Sequence, residues 1–157
     1  MNTGMRRLDR QLTDEETVSL FQEAEYGVLS VIDENGRPYG VPMSFALCGR
    51  AIYFHCSAAG GKKVTSIRHC PSASFTVVGH TRLLPQQFAT LYMSGIADGT
   101  VAVVQDEGEK RKGIEAILRK YAPDFMEKGL AYIDRAIDKI DVLKLDIEAM
   151  TGKGRKS

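Results

Sequence analysis

The sequence lacks the residue spacings that most often announce a chemistry. Its three cysteines, Cys48, Cys56 and Cys70, form no C-x-x-C pair and leave an odd count. That argues for reduced thiols rather than a disulfide framework. Its three histidines, His55, His69 and His80, fall into no H-E-x-x-H or similar spacing, so no metal site is expected. Neither the P-loop pattern G-x-x-x-x-G-K-[ST] nor the dinucleotide pattern G-x-G-x-x-G is present. No apolar run is long enough to span a bilayer. Arg6, Arg7 and Arg10 near the start are followed by no apolar h-region. A cytoplasmic protein with no membrane partner is therefore expected. A net charge of +1 supplies no overall field that would draw the chain to nucleic acid. No repeat and no linker divides it.

What remains is an ordinary globular composition. The chain has 157 residues, 43% hydrophobic and 26% charged, enough for one domain with a real core. We expect a single domain over 1–157, with an N-terminal arm at 1–12 and a flexible Gly/Lys-rich tail at 151–157.

Between arm and tail the pattern is mainly β. Thr13-Asp14-Glu15-Glu16 is a capping box, and Val18, Leu20, Phe21 and Ala24 supply the apolar stripe of a helix over 14–24. Residues 26–32 read as a strand. Asn35-Gly36 is a strong hairpin signal, and 39–47 is the return strand. Pro42 removes a ladder donor there, which places that strand at a sheet edge or on a bulge. Residues 51–55 would complete an antiparallel meander. A short helix at 64–69, a strand at 73–78 and a loop at 79–87 follow. Strands at 90–98 and 99–104 meet at a bend near Asp98-Gly99. Helices are expected at 107–121, ended by Pro123, and at 124–135. The last strand is 141–147, where apolar and charged residues alternate. Six or seven antiparallel strands are most simply freed of edges by curling into a barrel.

One stretch carries a chemical suggestion. In Ala51–Lys63, a strand opens into small residues and glycines and closes on Lys62 and Lys63. Backbone N–H groups can approach a ligand there because few side chains block them, and the lysines add charge. A helix start directly behind adds its positive dipole end. The stretch reads as an anion site, and specifically a phosphate site. His55 is the one residue that offers itself as an acid.

The segments YGVLSVIDENGRPYGVPMSF, IYFHCSAAGGKKVTSIRHCPSASFTVVG and KIDVLKLDIEAMTGKGR, taken in order, resemble the flavin-binding split-barrel superfamily of pyridoxamine 5′-phosphate oxidase, in its nitroimidazole-resistance (Nim-type) branch. The resemblance implies a six-stranded antiparallel split β-barrel of Greek-key type with peripheral α-helices. It implies a homodimer with FMN, or alternatively FAD, at the subunit interface. Carried over by position, Val41, Pro42, Met43 and Ser44 run along the flavin ring. Phe54, His55, Cys56 and Ser57 follow the ribityl chain, and Lys62 and Lys63 grip the phosphate. Many relatives have Arg at the first of that pair, and Lys62 keeps its charge without the bidentate fork. The implied activity is reduction of a small electrophile such as a nitroaromatic, with His55 as catalytic residue. No separate nicotinamide motif is present, so NAD(P)H would enter the same cleft in turn. Two alternatives stand beside it. One is a pyridoxamine 5′-phosphate oxidase-related enzyme, which needs a second phosphate site. The other is a non-catalytic carrier or sensor of flavin or haem.

Overall fold

The computed structural model describes residues 4–157. Four α-helices and seven strands make up its regular structure, apart from short 3-10 turns: α1 Asp14–Glu23, β1 Gly27–Ile32, β2 Pro38–Met43, β3 Ala46–Cys48, β4 Ala51–Ser57, α2 Lys62–His69, β5 Ser72–Leu84, β6 Ala89–Val103, α3 Glu107–Tyr121, α4 Met126–Ala136 and β7 Ile140–Arg155. All strands belong to one antiparallel sheet in the order β2-β1-β5-β6-β7-β4-β3. No helix among the described residues is long and apolar enough to cross a membrane.

The sheet curls on itself, and its connectivity requires it to. β2 and β3 are its two edge strands. Only Ser44 and Phe45 separate them in the chain. Three Cα–Cα steps span at most about 11 Å, so the opposite edges of the sheet meet at that corner. Phe45 is fully buried there. Its N–H donates to the Tyr121 hydroxyl at 3.0 Å, and that hydroxyl donates to the Glu25 carbonyl.

This corner corrects three expectations. The strand at 39–47 is two strands, β2 and β3, and the sheet's seven strands fall within the six or seven read from the pattern but exceed the six that the resemblance implies. The meander does not form: β1 and β2 make the expected hairpin, but β4 pairs with β3 and β7, far across the sheet from β2. Pro42 does lie on an edge strand.

Other corrections come from long-range pairing. Residues 79–84 are not loop, because β5 continues to Leu84 against β6, with an irregularity between Gly79 and Arg82. The strands at 90–98 and 99–104 are one strand, and the bend at Asp98-Gly99 is a register shift against β7. The Thr151–Ser157 tail, expected to be flexible, is strand up to Arg155, paired with β6 through Tyr92↔Arg155. Of the expected arm, residues 1–3 lie outside the described residues. The rest lies on β7, where Leu12 N–H donates to the Gly152 carbonyl at 3.0 Å.

Two apolar clusters hold the fold. The barrel interior is built on Phe21, Phe45, Phe54 and Phe75. Phe75 meets Phe45 and Phe54 edge-on at centroid separations of 4.7 and 4.9 Å, a favoured aromatic geometry. The second cluster lies outside the barrel, where Tyr53 and Val142 meet Ile114 and Ile117 of α3 and Ile133 of α4. β4 therefore buries both faces at its start, with Ile52 and Phe54 inward and Tyr53 outward. Two helix starts, those of α1 and α3, follow the sequence. Thr13 and Glu16 form the capping box reciprocally, and Asp106 caps α3 by accepting from Glu109 N–H at 2.8 Å.

Candidate functional site

The alternation of β2 and β4 sorts the candidate residues before any ligand is considered. On β2, Val41 and Met43 point toward the interior, and Pro42 points outward into solvent. Ser44 is exposed in the link to β3. On β4, Phe54 is wholly in the aromatic core, so only its backbone is available to a ligand. Cys56 points the same way at the end of the barrel and is partly buried. His55 and Ser57 lie on the outer side and are exposed.

Past β4 the chain turns tightly over Ser57. Ala59 N–H donates to Ser57 Oγ at 3.2 Å, and Gly60 N–H donates to the Ser57 carbonyl at 3.3 Å. Gly60 and Gly61 then adopt φ values of +83° and +127°, which side-chain-bearing residues rarely reach. That conformation turns the chain directly into α2, which starts at Lys62, two residues earlier than the sequence suggests. The lysines thus stand inside the first helical turn rather than before it. Gly61 is the N-cap and has no side chain to cap with, so the first-turn N–H groups are open to a ligand.

The two lysines do different things. Lys62 Nζ pairs with Asp33 Oδ2 at 3.2 Å and lies 4.4 Å from the centroid of the Tyr39 ring. Asp33 is 6% exposed. Its carboxylate also accepts from Asn35 and Arg37 N–H, each at 2.9 Å. The Arg37 N–H, followed by the Lys62 ammonium, holds the Asp33 carboxyl below its ordinary pKa despite its burial. Lys62 is thereby tied to the β1–β2 turn.

Lys63 turns the other way. It is partly buried, and its ammonium lies 3.4 Å from Met43 Sδ. Among the described residues it pairs with no carboxylate within 4.0 Å; the ion pairs of α2 involve Lys62 alone. Its charge reaches two of the candidate residues of β4, His55 and Cys56. Partial desolvation of the otherwise exposed ring, and then Lys63, push the His55 imidazole below its ordinary pKa. Burial raises the Cys56 thiol, an effect that Lys63 opposes and Asp141 reinforces. Asp141 is the register partner of Cys56.

The structure thus sets Lys63 against Met43 and within reach of His55 and Cys56 on the two sides of β4, with Ser57 in the turn that leads into α2. It does not bring in Pro42 or the Phe54 side chain, and it engages Lys62 elsewhere. Ser44 lines a separate cleft of about 500 Å³ with Lys120, Tyr121 and Tyr26. Lys120 is half-buried there, donates to the Phe21 carbonyl at 3.2 Å and is pushed by burial down to about 8. Sequence reasoning missed Asp33, Asp141 and Lys120. Asp33 had a local signal, an Asx-type turn ahead of Asn35-Gly36. The other two are placed by long-range packing alone.

The arrangement can hold an anion at Lys63 and the α2 start, and a flat group beside Met43. A His55 pKa pushed down in this way favours the neutral ring, which can accept a proton or donate its one N–H.

Residues 13–154 match the family model of pyridoxamine 5′-phosphate oxidase. Among solved structures, a candidate 5-nitroimidazole antibiotic resistance protein from Bacteroides thetaiotaomicron is 25% identical, with a TM-score of 0.80 over 92% of this chain and 86% of that one. The flavocytochrome Anf3 from Azotobacter vinelandii is 20% identical, with a TM-score of 0.76 over 98% and 72%. An FAD-binding protein from Mesorhizobium loti is 20% identical, with a TM-score of 0.66 over 94% and 98%. At that identity the last two show a shared fold, the split barrel. No curated protein matches the chain in sequence.

Proposed function

The chain belongs to the pyridoxamine 5′-phosphate oxidase family, and from that premise we propose that it is a flavin-binding oxidoreductase that holds FMN and reduces a small electrophile such as a nitroaromatic. The observation that carries this reading is Lys63. It is a partly buried ammonium with no carboxylate partner among the described residues, set in the first turn of an uncapped helix. A cation so placed is costly unless an anion completes it, and charge-assisted hydrogen bonds from Lys63 and the open N–H groups suit a phosphate.

When bound, the flavin supplies the electron transfer, and the protein supplies position and electrostatics. Lys63 and the α2 start would hold the phosphate, and Ser57 and the backbone at Phe54–Cys56 the ribityl chain. Met43 offers a soft, polarizable surface to the ring. Partial desolvation, and then Lys63, lower the His55 pKa, so this histidine serves as a hydrogen-bonding contact rather than a strong acid.

A second copy of the chain would complete the site. The outer face of the sheet carries a continuous row, Pro42↔Val28↔Thr76↔Ile96, across four strands. Val28, Ile96 and neighbouring Val78 are 37, 41 and 55% exposed. An apolar sheet face of that kind suits a partner. Sedimentation velocity should return a dimer.

A flavin carrier is the second reading, favoured because, among the described residues around Lys63, none offers itself as a better proton donor than His55. Two measurements separate the readings. The purified protein should show flavin absorption, and it should then consume NADH or NADPH in the presence of a nitro compound. Flavin without turnover leaves the carrier. A colourless protein that takes up no added FMN removes both.

A further inference from the structure

We propose that Lys120, in the cleft where the ends of α1 and α3 meet, is a covalent capture site for small uncharged aldehydes. This goes beyond the flavin reading: Lys120 stands on α3, whereas Lys63 stands on α2.

Two helix ends and the strand corner build this cleft. α1 stops at Glu23, which leaves its last carbonyls without donors from the helix itself. The last turn of α3 packs there, and Lys120 Nζ donates to one of them, the Phe21 carbonyl, at 3.2 Å. The adjacent Tyr121 hydroxyl is already fixed between the Phe45 N–H and the Glu25 carbonyl. The cleft measures about 500 Å³, and Tyr26, Tyr121, Glu23, Glu25 and Ser44 line it together with Lys120. That is room for a small molecule. Tyr26 and Tyr121, 63 and 41% exposed, offer it aromatic surface.

Lys120 meets no carboxylate within 4.0 Å among the described residues, and Glu23 pairs with His80 instead. The Phe45 ring lies 3.6 Å from its Nζ and the Phe21 carbonyl orients it, yet neither carries a full negative charge. Half-buried between them, the amine is pushed by desolvation down to about 8. An ordinary lysine is almost wholly protonated near neutral pH and has no lone pair to offer. Lys120 keeps about a quarter of its amine free at about pH 7.5. A desolvated amine of this kind is a nucleophile toward carbonyl carbon. Its Nζ forms a bond to the aldehyde carbon, and the carbonyl oxygen takes a proton from the nitrogen. The carbinolamine then loses that oxygen as water, with the remaining N–H proton, to leave C=N. Amine and aldehyde give imine and water, and nothing is oxidised or reduced. Glu23 and Glu25 select the partner: they repel an anionic ligand and favour the cationic, protonated imine.

The test is reductive trapping on the full chain as purified. Benzaldehyde is added with cyanoborohydride, which reduces the imine to a stable amine, and the labelled lysines are located by peptide mass spectrometry. At about pH 7.5, Lys120 should be labelled about tenfold or more faster than exposed Lys128 of α4. Its rate should rise with pH and level off above about pH 8. Glyoxylate, an anionic aldehyde, should show a smaller preference for Lys120 over Lys128. The label is located in the wild-type chain, so the result depends on no variant folding. Labelling of Lys120 no faster than Lys128, or a rate that still climbs at about pH 10, overturns the proposal. An equal or larger preference with glyoxylate overturns the uncharged class. Loss of flavin in step with the Lys120 label also overturns it, because the lysine would then belong to the flavin site.

Discussion

The two sides of α2 behave differently although adjacent residues build them. On the turn side, Lys62 is used up. Asp33 takes its charge, the Tyr39 ring lies beneath it, and the aspartate's remaining capacity goes to turn N–H groups. On the barrel-mouth side, Lys63 has a thioether and two titratable neighbours but, among the described residues, no carboxylate partner within 4.0 Å. One side is a finished structural device, and the other is finished only by a ligand. The difference teaches that a basic pair in a loop is not one functional unit. A helical register separates its members by roughly 100°, and the partner that each finds decides its role.

The largest way to break the comparison is Gly61→Ala. Its φ of +127° is strained for any side chain, so the variant should lose about 1–3 kcal/mol of stability. It should weaken both sides at once, because the start of α2 moves. Denaturant unfolding with flavin content measured in parallel checks this.

Asp33→Asn affects the turn side alone and is read in acid. The native Asp33 pKa lies below its ordinary value. Its contribution is therefore fully present above the ordinary carboxylate pKa and is lost as pH falls through the depressed one. The asparagine variant should be less stable at neutral pH and should show a flatter acid limb of the stability curve, with FMN affinity little changed.

The smallest effect sharpens the mouth side. Lys63 lowers the His55 pKa, second to partial desolvation. In Lys63→Ala the imidazole should titrate closer to its ordinary value without reaching it, since the partial desolvation of the ring persists. An NMR titration of the His55 ring protons follows this, and an unchanged pKa would separate His55 from Lys63.

Much of this was legible where the signal is local. Asn35-Gly36 marked the hairpin, Thr13 and Glu16 the first helix start, and Asp106 and Pro123 the limits of α3. The bend at Asp98-Gly99 was legible too: a Cβ on Gly99 would lie 2.0 Å from the Asp146 carbonyl oxygen, so only glycine fits the bulge. Where pairing is distant, local pattern failed. Nothing in residues 51–57 says that their partner is 140–146, and the apolar run through Ser44-Phe45 hides a change of sheet edge. The Gly/Lys tail read as flexible, but its glycines serve close packing. A Cβ on Gly152 would sit 2.1 Å from Thr17 Oγ1, so glycine there lets the arm and α1 close on β7. At the site, residue type pointed to an anion, but only the fold separates Lys63 from Lys62 and turns the Phe54 ring inward.

The most direct test of the central claim is FMN titration of the flavin-free protein, followed by fluorescence quenching, for wild type, Lys62→Ala and Lys63→Ala side by side. Loss of a charge-assisted bond to phosphate predicts that Lys63→Ala binds about ten- to a hundredfold more weakly, while Lys62→Ala changes affinity only a few-fold and lowers the melting temperature slightly. Equal losses in the two variants, or a larger loss at Lys62, would contradict the assignment of the phosphate to Lys63.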